Sequence, residues 1–309
     1  MRDLTPETIT DTFLGYFDAR TDPRLREVMG SLARHLHGFI RETGLTHAEW
    51  RKALELLRWA GRITTPERDE FVLFSDVLGV SSLVDMMNST PTGTSSSVLG
   101  PFHITGAPPL ANGGDLKGRY EGEVVLVRGQ VRDDRGSPIP HAAVNIWQTA
   151  PNGLYSSQDP DQDIYSFHGM LTTDADGRYA FTTVRPVPYQ VPVDGPAGEL
   201  LKASGRHAWR PSHLHFIVTA AGFRTLVTEV FPEDDPYLDE DTVFGVRQDL
   251  VMRYVAQPPG SFPSGLALSG QVDGAYSCVD FDLVLTDAGT EPGATPACPP
   301  DIGRSADNG

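Results

Sequence analysis

Two hydrophobic rhythms divide the chain. Up to about residue 90 the apolar positions recur at helical spacing. Thr5-Pro6-Glu7 has the signature of a helix start: threonine as N-cap, proline in the first turn, an acid beside the positive helix end. Ile9, Phe13, Leu14 and Phe17 follow it. Val28, Leu32, Leu36, Phe39 and Ile40 make a second stripe. Thr46-His47-Ala48-Glu49 reads as a capping box ahead of Trp50, Leu54, Leu57 and Ala60. Thr65-Pro66-Glu67 repeats the start signal before Phe71, Leu73, Phe74 and Val77. These stripes predict core packing between helices, with some apolar surface left over for a dimer face.

Residues 88 to 97 are polar and rich in breakers, and the rhythm then changes. Short β-branched runs alternate with turn signals. Val124–Val131, Ala143–Gln148, Arg178–Thr182, Ile217–Thr219, Thr225–Phe231 and Asp280–Leu285 read as strands. Asp133-Asp134-Arg135-Gly136, Ser137-Pro138 and Thr173-Asp174-Ala175-Asp176-Gly177 read as turns. Many short strands with frequent turns predict an all-β sandwich or barrel. The fold class is therefore α+β: a helical part with its linker over 1–97, a β-sandwich over 98–287, and a polar, disordered tail over 288–309.

Charge and cysteine content narrow the partners. A formal net charge of −16 argues against nucleic acid and anionic membranes, which both want a basic face. Cys278 and Cys298 do not make a disulfide framework, and a reducing cytoplasm fits them. The first residues show no apolar signal region, and no apolar stretch approaches the roughly 18 residues of a membrane span.

The candidate chemistry centres on Arg210-Pro211-Ser212-His213-Leu214-His215-Phe216, ahead of Ile217-Val218-Thr219. On a strand, His213 and His215 stand on one face and two imidazoles can reach one ion. Surface or hydrogen-bonded histidines would give the same pattern. His35 and His37 have the same spacing in a helical stretch, where they point to different sides. Tyr155 and Tyr189 lie upstream in loop-like settings, and imidazole suits iron as well as zinc and copper. Asp174-x-Asp176-Gly177 lacks the rest of a calcium loop and reads as a hairpin turn. Glu233-Asp234-Asp235 and Asp239-Glu240-Asp241 read as solvated loop acids.

Tyr155 in Gly-Leu-Tyr-Ser, Tyr189 after proline, Asp194-Gly195-Pro196, and Arg210-Pro211-x-His213-x-His215-Phe216 together resemble the intradiol ring-cleaving dioxygenases. Leu99-Gly100-Pro101-Phe102 is similar to that family's entry to the catalytic domain, and the resemblance covers nearly the whole chain. The helical part resembles the catechol and hydroxyquinol branch. Ser97–His103, Gly205–Pro211, Leu226–Phe231 and Val243–Val246 are most similar to the hydroxyquinol 1,2-dioxygenases.

The resemblance implies one Fe(III) per subunit, bound by Tyr155, Tyr189, His213 and His215 with a solvent hydroxide. Tyr189 would be the ligand that leaves when substrate binds, and would take one ring-hydroxyl proton. Arg210 would stabilise negative charge developing on the ring; a structural ion pair is the other reading. Val98, Leu99, Gly100, Pro101 and Phe102 would lie against the ring, with Val191 and Pro192 beside Tyr189 and Val243 opposite. Leu73 and Asp76 would reach in from the helical part. Asp76 would either accept a hydrogen bond from a third ring hydroxyl or be an exposed helix acid. Glu229 stands where catechol-specific members carry glutamine, beside Arg210, and would pair with it.

The implied reaction is cleavage of hydroxyquinol by O2 to 3-hydroxy-cis,cis-muconate, the tautomer of maleylacetate. Catechol or chlorocatechol cleavage is the nearest alternative. More distant ones are a zinc hydrolase on His213 and His215 with an acidic third ligand, and a metal-free β-sandwich binding module. The resemblance further implies a homodimer through the helical part, with a phospholipid enclosed between subunits.

Overall fold

The computed structural model describes residues 3–268 and 271–289. Cys298 and residues 290–309 of the expected tail lie outside the described residues. The chain divides into two compact units, Met1–Arg58 and Trp59–Gly309. The change of composition at residue 97 and this division do not coincide. Helices on the C-terminal side of the division belong with the β-structure because they pack directly on its segments.

The first unit holds α1 (Ile9–Leu14), α2 (Pro23–Thr43) and the start of α3 (His47–Ile63). Asp22 caps α2 by accepting the Leu25 N–H, Pro23 opens its first turn, and Gly44 at φ +61° ends it. The Thr46–Glu49 capping box forms reciprocally: Glu49 Oε2 accepts the Thr46 N–H at 2.9 Å and Thr46 Oγ1 accepts the Glu49 N–H at 3.3 Å. The α2 stripe differs from expectation. Val28, Leu32, Leu36, Phe39 and Ile40 are 43–51% exposed, so this chain alone does not bury them. A six-residue α1 is too short to cover a 21-residue amphipathic helix.

In the second unit α4 (Glu70–Val77) starts later than Thr65-Pro66 suggests. Asp69 is the cap, its carboxylate accepting the Phe71 and Val72 N–H groups, while Thr65 and Arg68 close a small β-bridge. Gly79 at φ +72° joins α4 to α5 (Val80–Asn88). The strands follow: β1 (Gly114–Asp115), β2 (Val124–Asp133), β3 (Ala143–Trp147), β4 (His168–Thr172), β5 (Arg178–Val184) and β6 (Tyr189–Gln190). Next come α6 (Pro196–Ala203), which the alternation does not suggest, β7 (Trp209–Arg210), β8 (Leu214–Thr219) and β9 (Leu226–Pro232). β10 (Val251–Met252), β11 (Val255–Gln257), β12 (Tyr276–Asp280) and β13 (Leu283–Leu285) complete the described strands. The single strand expected over Asp280–Leu285 is thus two short ones, both paired with β2.

One sheet runs β1-β5-β2-β12-β11, with β13 also on β2; the other runs β10-β9-β8-β3-β4. Val125, Val127, Phe181, Val144, Ile146, Leu214, Phe216 and Val230 pack into one core, all at or near zero exposure. Period-2 alternation sends the next residues of the second sheet to its other face. There the register sets His168 beside Trp147, Trp147 beside His215, and His215 beside Glu229. That face is covered by a second cluster, in which Leu73 and Val77 of α4 and Ala197 and Leu201 of α6 pack with Val98, Phe102, Trp147 and Val243.

Candidate metal centre

Three local devices bring the candidate donors together. β8 carries His215, with His213 just ahead of it on the same face, while Leu214 between them enters the core. A two-stranded ladder pairs Tyr189 of β6 with Arg210 of β7. A turn closed by the Gly153 N–H on the Ala150 carbonyl (2.9 Å), with Gly153 at φ +79°, presents Tyr155, whose N–H is held by Gln158.

The four side-chain tips converge. Tyr155 Oη lies 2.9 Å from His215 Nε2, 3.2 Å from His213 Nε2 and 3.4 Å from Tyr189 Oη. The two Nε2 atoms are 3.1 Å apart. Donors bound at about 2.0–2.1 Å to one ion, at angles between octahedral and tetrahedral, stand roughly 2.8–3.4 Å from one another. The spacing therefore fits a single first-row metal ion. The protonation pattern fits as well. His213 Nδ1 lies 2.8 Å from the Pro211 carbonyl, which orients Nε2 toward the cage as a lone-pair donor. Burial, then the neighbouring Arg210, lowers the His213 pKa; burial, then His213, takes that of His215 well below the usual range. Burial raises both phenols, Tyr155 well above the usual range. Without a cation the cage is four neutral donors, and a bound cation is what would ionise the phenols.

Trp147 and Phe102 fix the ring planes. Trp147 stacks on His215 at 4.4 Å and 4°, and Phe102 stacks on Tyr155 at 5.0 Å and 28°. Glu229 is the acid nearest the histidines, with Oε1 3.5 Å from His213 Nε2 and 3.4 Å from His215 Nδ1. It approaches His215 from the side opposite the converging Nε2. Its carboxylate is also committed to Arg210, so it makes a poor third ligand for a zinc site.

Arg210 is 2% exposed and clamped by two carboxylates. Nη1 and Nη2 reach Glu229 at 2.8 Å each, while Nε and Nη2 reach Asp241 at 3.0 and 3.1 Å. These bonds use four of the five guanidinium N–H groups. The remaining one is on Nη1, which lies 3.3 Å from His213 Nε2 and so borders the cage. Burial pulls the Arg210 pKa down, but Asp241 and Glu229 outweigh it and hold the charge firmly. Burial pushes Glu229 up, and Arg210 brings it net below the usual range. Ser97 Oγ adds a hydrogen bond to Glu229 Oε2 at 3.0 Å.

Asp241 corrects the sequence reading. Its sequence neighbours group it with solvated acids, yet it is 7% exposed and grips both Arg210 and the Gly245 N–H. Asp235 also leaves that group, since it accepts the Ser212 N–H and hydroxyl and so braces the strand entry. Glu233, Asp234, Asp239 and Glu240 are exposed as expected. An acid followed by glycine four residues on is the one local signal that Asp241 carries; Trp147 and Ser97 carry none beyond strand pattern and linker.

The remaining expected residues surround the cage unevenly. Leu73, Val98, Phe102, Val191 and Val243 are buried in the same cluster as Tyr155 and Tyr189, with Leu99 packed against it. A Cβ on Gly100, at φ +74°, would lie 3.5 Å from His215 Cε1. The Pro101 carbonyl accepts the Asp69 N–H at the head of α4, and Pro192 is half-buried next to Val191. Asp76 is not an exposed helix acid. It is 1% exposed, Oδ1 has no hydrogen-bond partner, and burial raises its pKa to about 7.

Residues 100–286 match the family model described as dioxygenase, and residues 22–94 match that of the catechol dioxygenase N terminus. The chain belongs to the intradiol ring-cleaving dioxygenases. Among members of this family, the chain is similar to hydroxyquinol 1,2-dioxygenase of Nocardioides simplex, 44% identical over 91% of this chain and 96% of that one. It is similar in structure to hydroxyquinol 1,2-dioxygenase from Pseudomonas putida DLL-E4, with a TM-score of 0.80 and 40% identity over 91% and 98% of the two chains. Catechol 1,2-dioxygenase from Acinetobacter sp. ADP1 gives a TM-score of 0.78 at 27% identity, over 93% and 94%. The family uses iron, and the donor set described above suits it. Among the described residues no helix is long and apolar enough to cross a membrane.

Proposed function

We propose that this dioxygenase holds Fe(III) on Tyr155, Tyr189, His213 and His215 and cleaves hydroxyquinol with O2 to 3-hydroxy-cis,cis-muconate. The observation that carries the substrate is Asp76. A buried carboxylate oxygen without a partner is costly unless a ligand donor meets it. A third ring hydroxyl is such a donor, and a plain catechol lacks it. The greater identity to hydroxyquinol dioxygenases than to a catechol dioxygenase of equal fold similarity supports the same choice.

Iron(III), when bound there, would supply a Lewis acid that lowers the pKa of the ring hydroxyls. The chain supplies the rest. Tyr189, ionised in the loaded site, would take a ring-hydroxyl proton at Oη as the substrate enters. The remaining Arg210 N–H, on Nη1 at 3.3 Å from His213 Nε2, borders the cage and would donate to charge that grows on the ring. Glu229 and Asp241 grip the guanidinium from two sides and fix its orientation. Leu73, Val98, Phe102, Val191 and Val243 hold the ring's apolar side and exclude water. The exposed α2 stripe, Val28 to Ile40, fits a homodimer face.

Turnover on hydroxyquinol, catechol and 4-chlorocatechol tests the substrate. The proposal expects the triol to have the highest kcat/KM, and Asp76→Ala to lower that value about tenfold or more with little change for catechol. A wild-type preference for either diol would overturn it.

A further inference from the structure

Asp76 discriminates a third hydroxyl only if α4 is held at a fixed distance from the metal cage. The N-terminal end of α4 is tied by its own neighbours. Glu70 accepts the Ala197 N–H at 3.1 Å, and Arg68 joins Glu70 to Asp194. The C-terminal end, next to Asp76, has a different tie.

α6 ends in a Schellman motif. The Gly205 N–H meets the Lys202 carbonyl, the Arg206 N–H meets the Leu201 carbonyl at 2.9 Å, and Gly205 sits at φ +67°. This fixes the Arg206 backbone, and its half-buried side chain then spans two walls. Nη1 donates to the Val77 carbonyl at 2.6 Å, in the last turn of α4 where carbonyls lack helical partners. Nη2 donates to the Thr242 carbonyl at 2.5 Å. The guanidinium carbon lies 4.9 Å over the Phe244 ring. Val77 adjoins Asp76. Thr242 lies between Asp241, which clamps Arg210, and Val243, which packs in the site cluster. One planar cation therefore joins the wall that would read the third hydroxyl to the wall that aims the catalytic guanidinium.

We propose that Arg206 is a positioning residue for substrate selection, setting Asp76 against the ring through the Val77–Arg206–Thr242 bridge. The proposal rests on the hydroxyquinol reading above. Arg206 touches neither the cage nor the ring. The 241–245 turn keeps its own ties, the Gly245 N–H on Asp241 and the Ser82 hydroxyl on the Phe244 carbonyl, so losing Arg206 frees α4 without unfolding the turn.

The test is steady-state kinetics of iron-loaded wild type, Arg206→Met and Arg206→Lys on hydroxyquinol and catechol, with resting visible spectra. Arg206→Lys keeps the charge but offers no planar fork to span both carbonyls, and it serves if the methionine variant does not fold. The expected result is an unchanged resting spectrum and a loss of about tenfold in hydroxyquinol kcat/KM, mostly through KM, with catechol within about twofold. A preference ratio that survives in the variants, or an equal loss on both substrates, overturns the role of Arg206. A wild type with no preference for hydroxyquinol overturns the substrate reading, and this proposal with it.

Discussion

The two faces of the β10-β9-β8-β3-β4 sheet obey different rules. On the inner face Val144, Ile146, Leu214, Phe216 and Val230 need only apolar contact, and the opposite sheet provides it. On the outer face the same strands present Trp147, His213, His215 and Glu229, buried just as deeply. The polar groups there meet partners from other segments, Tyr155 at the Nε2 atoms of both histidines and Arg210 at Glu229. One face gives the strands their stability and the other spends some of it on chemistry.

The largest effect expected is at the ion cluster of the outer face. Arg210→Met leaves Glu229 and Asp241 buried and facing one another without a cation. It should cost about 3–5 kcal/mol of stability, measured by denaturant unfolding. It should also lower kcat by roughly 10²–10³ in the fraction that folds. Phe216→Ala makes the contrast on the inner face. Chemical unfolding should show a loss of about 3–5 kcal/mol, while kcat of the folded enzyme stays within about twofold. A large kcat loss there would mean that the two faces are not separable.

Asp76 lies at the margin of the outer face and predicts a pH effect. Its carboxyl titrates near 3.8 when unfolded and at about 7 in the fold. Below 3.8 it is protonated in both states and burial costs little. Between 3.8 and 7 the unfolded chain has released the proton while the fold still holds it, so stability falls as pH rises across this window and levels off above 7. Thermal unfolding of Asp76→Asn against wild type should show the variant gaining as pH rises from 4 to 8. An advantage that is flat with pH would contradict the burial. The smallest effect belongs to the helical unit. Thr46→Ala removes half of a solvent-exposed capping box and should cost about 1 kcal/mol, seen as a modest drop in Tm, with no change in kcat.

The same contrast explains what is legible in the sequence. Period-2 alternation places Leu214 and Phe216 against His213 and His215, because a strand face depends on local geometry alone. Tyr155 and Tyr189 are found by their motifs, not by any rhythm. Asp241 reads wrongly because its burial depends on Arg210, thirty-one residues away, while its neighbours Asp239 and Glu240 are exposed acids. The start of α4 lies at Asp69 and not at Thr65 because two cap-capable residues compete, and the one followed by the apolar run wins. The α2 stripe looks like core, since amphipathicity reports a buried face without saying whose surface buries it.

The proposed chemistry of the outer face requires two phenolates and two imidazoles to hold one ferric ion at this cage. The decisive measurement is the visible absorption spectrum of the iron-loaded protein, before and after anaerobic addition of hydroxyquinol. The expected result is a red-brown tyrosinate-to-iron band that moves to longer wavelength with hydroxyquinol and is lost or strongly changed in Tyr155→Phe. A colourless protein carrying one ferric ion per chain, or a band indifferent to Tyr155→Phe, would contradict the assignment.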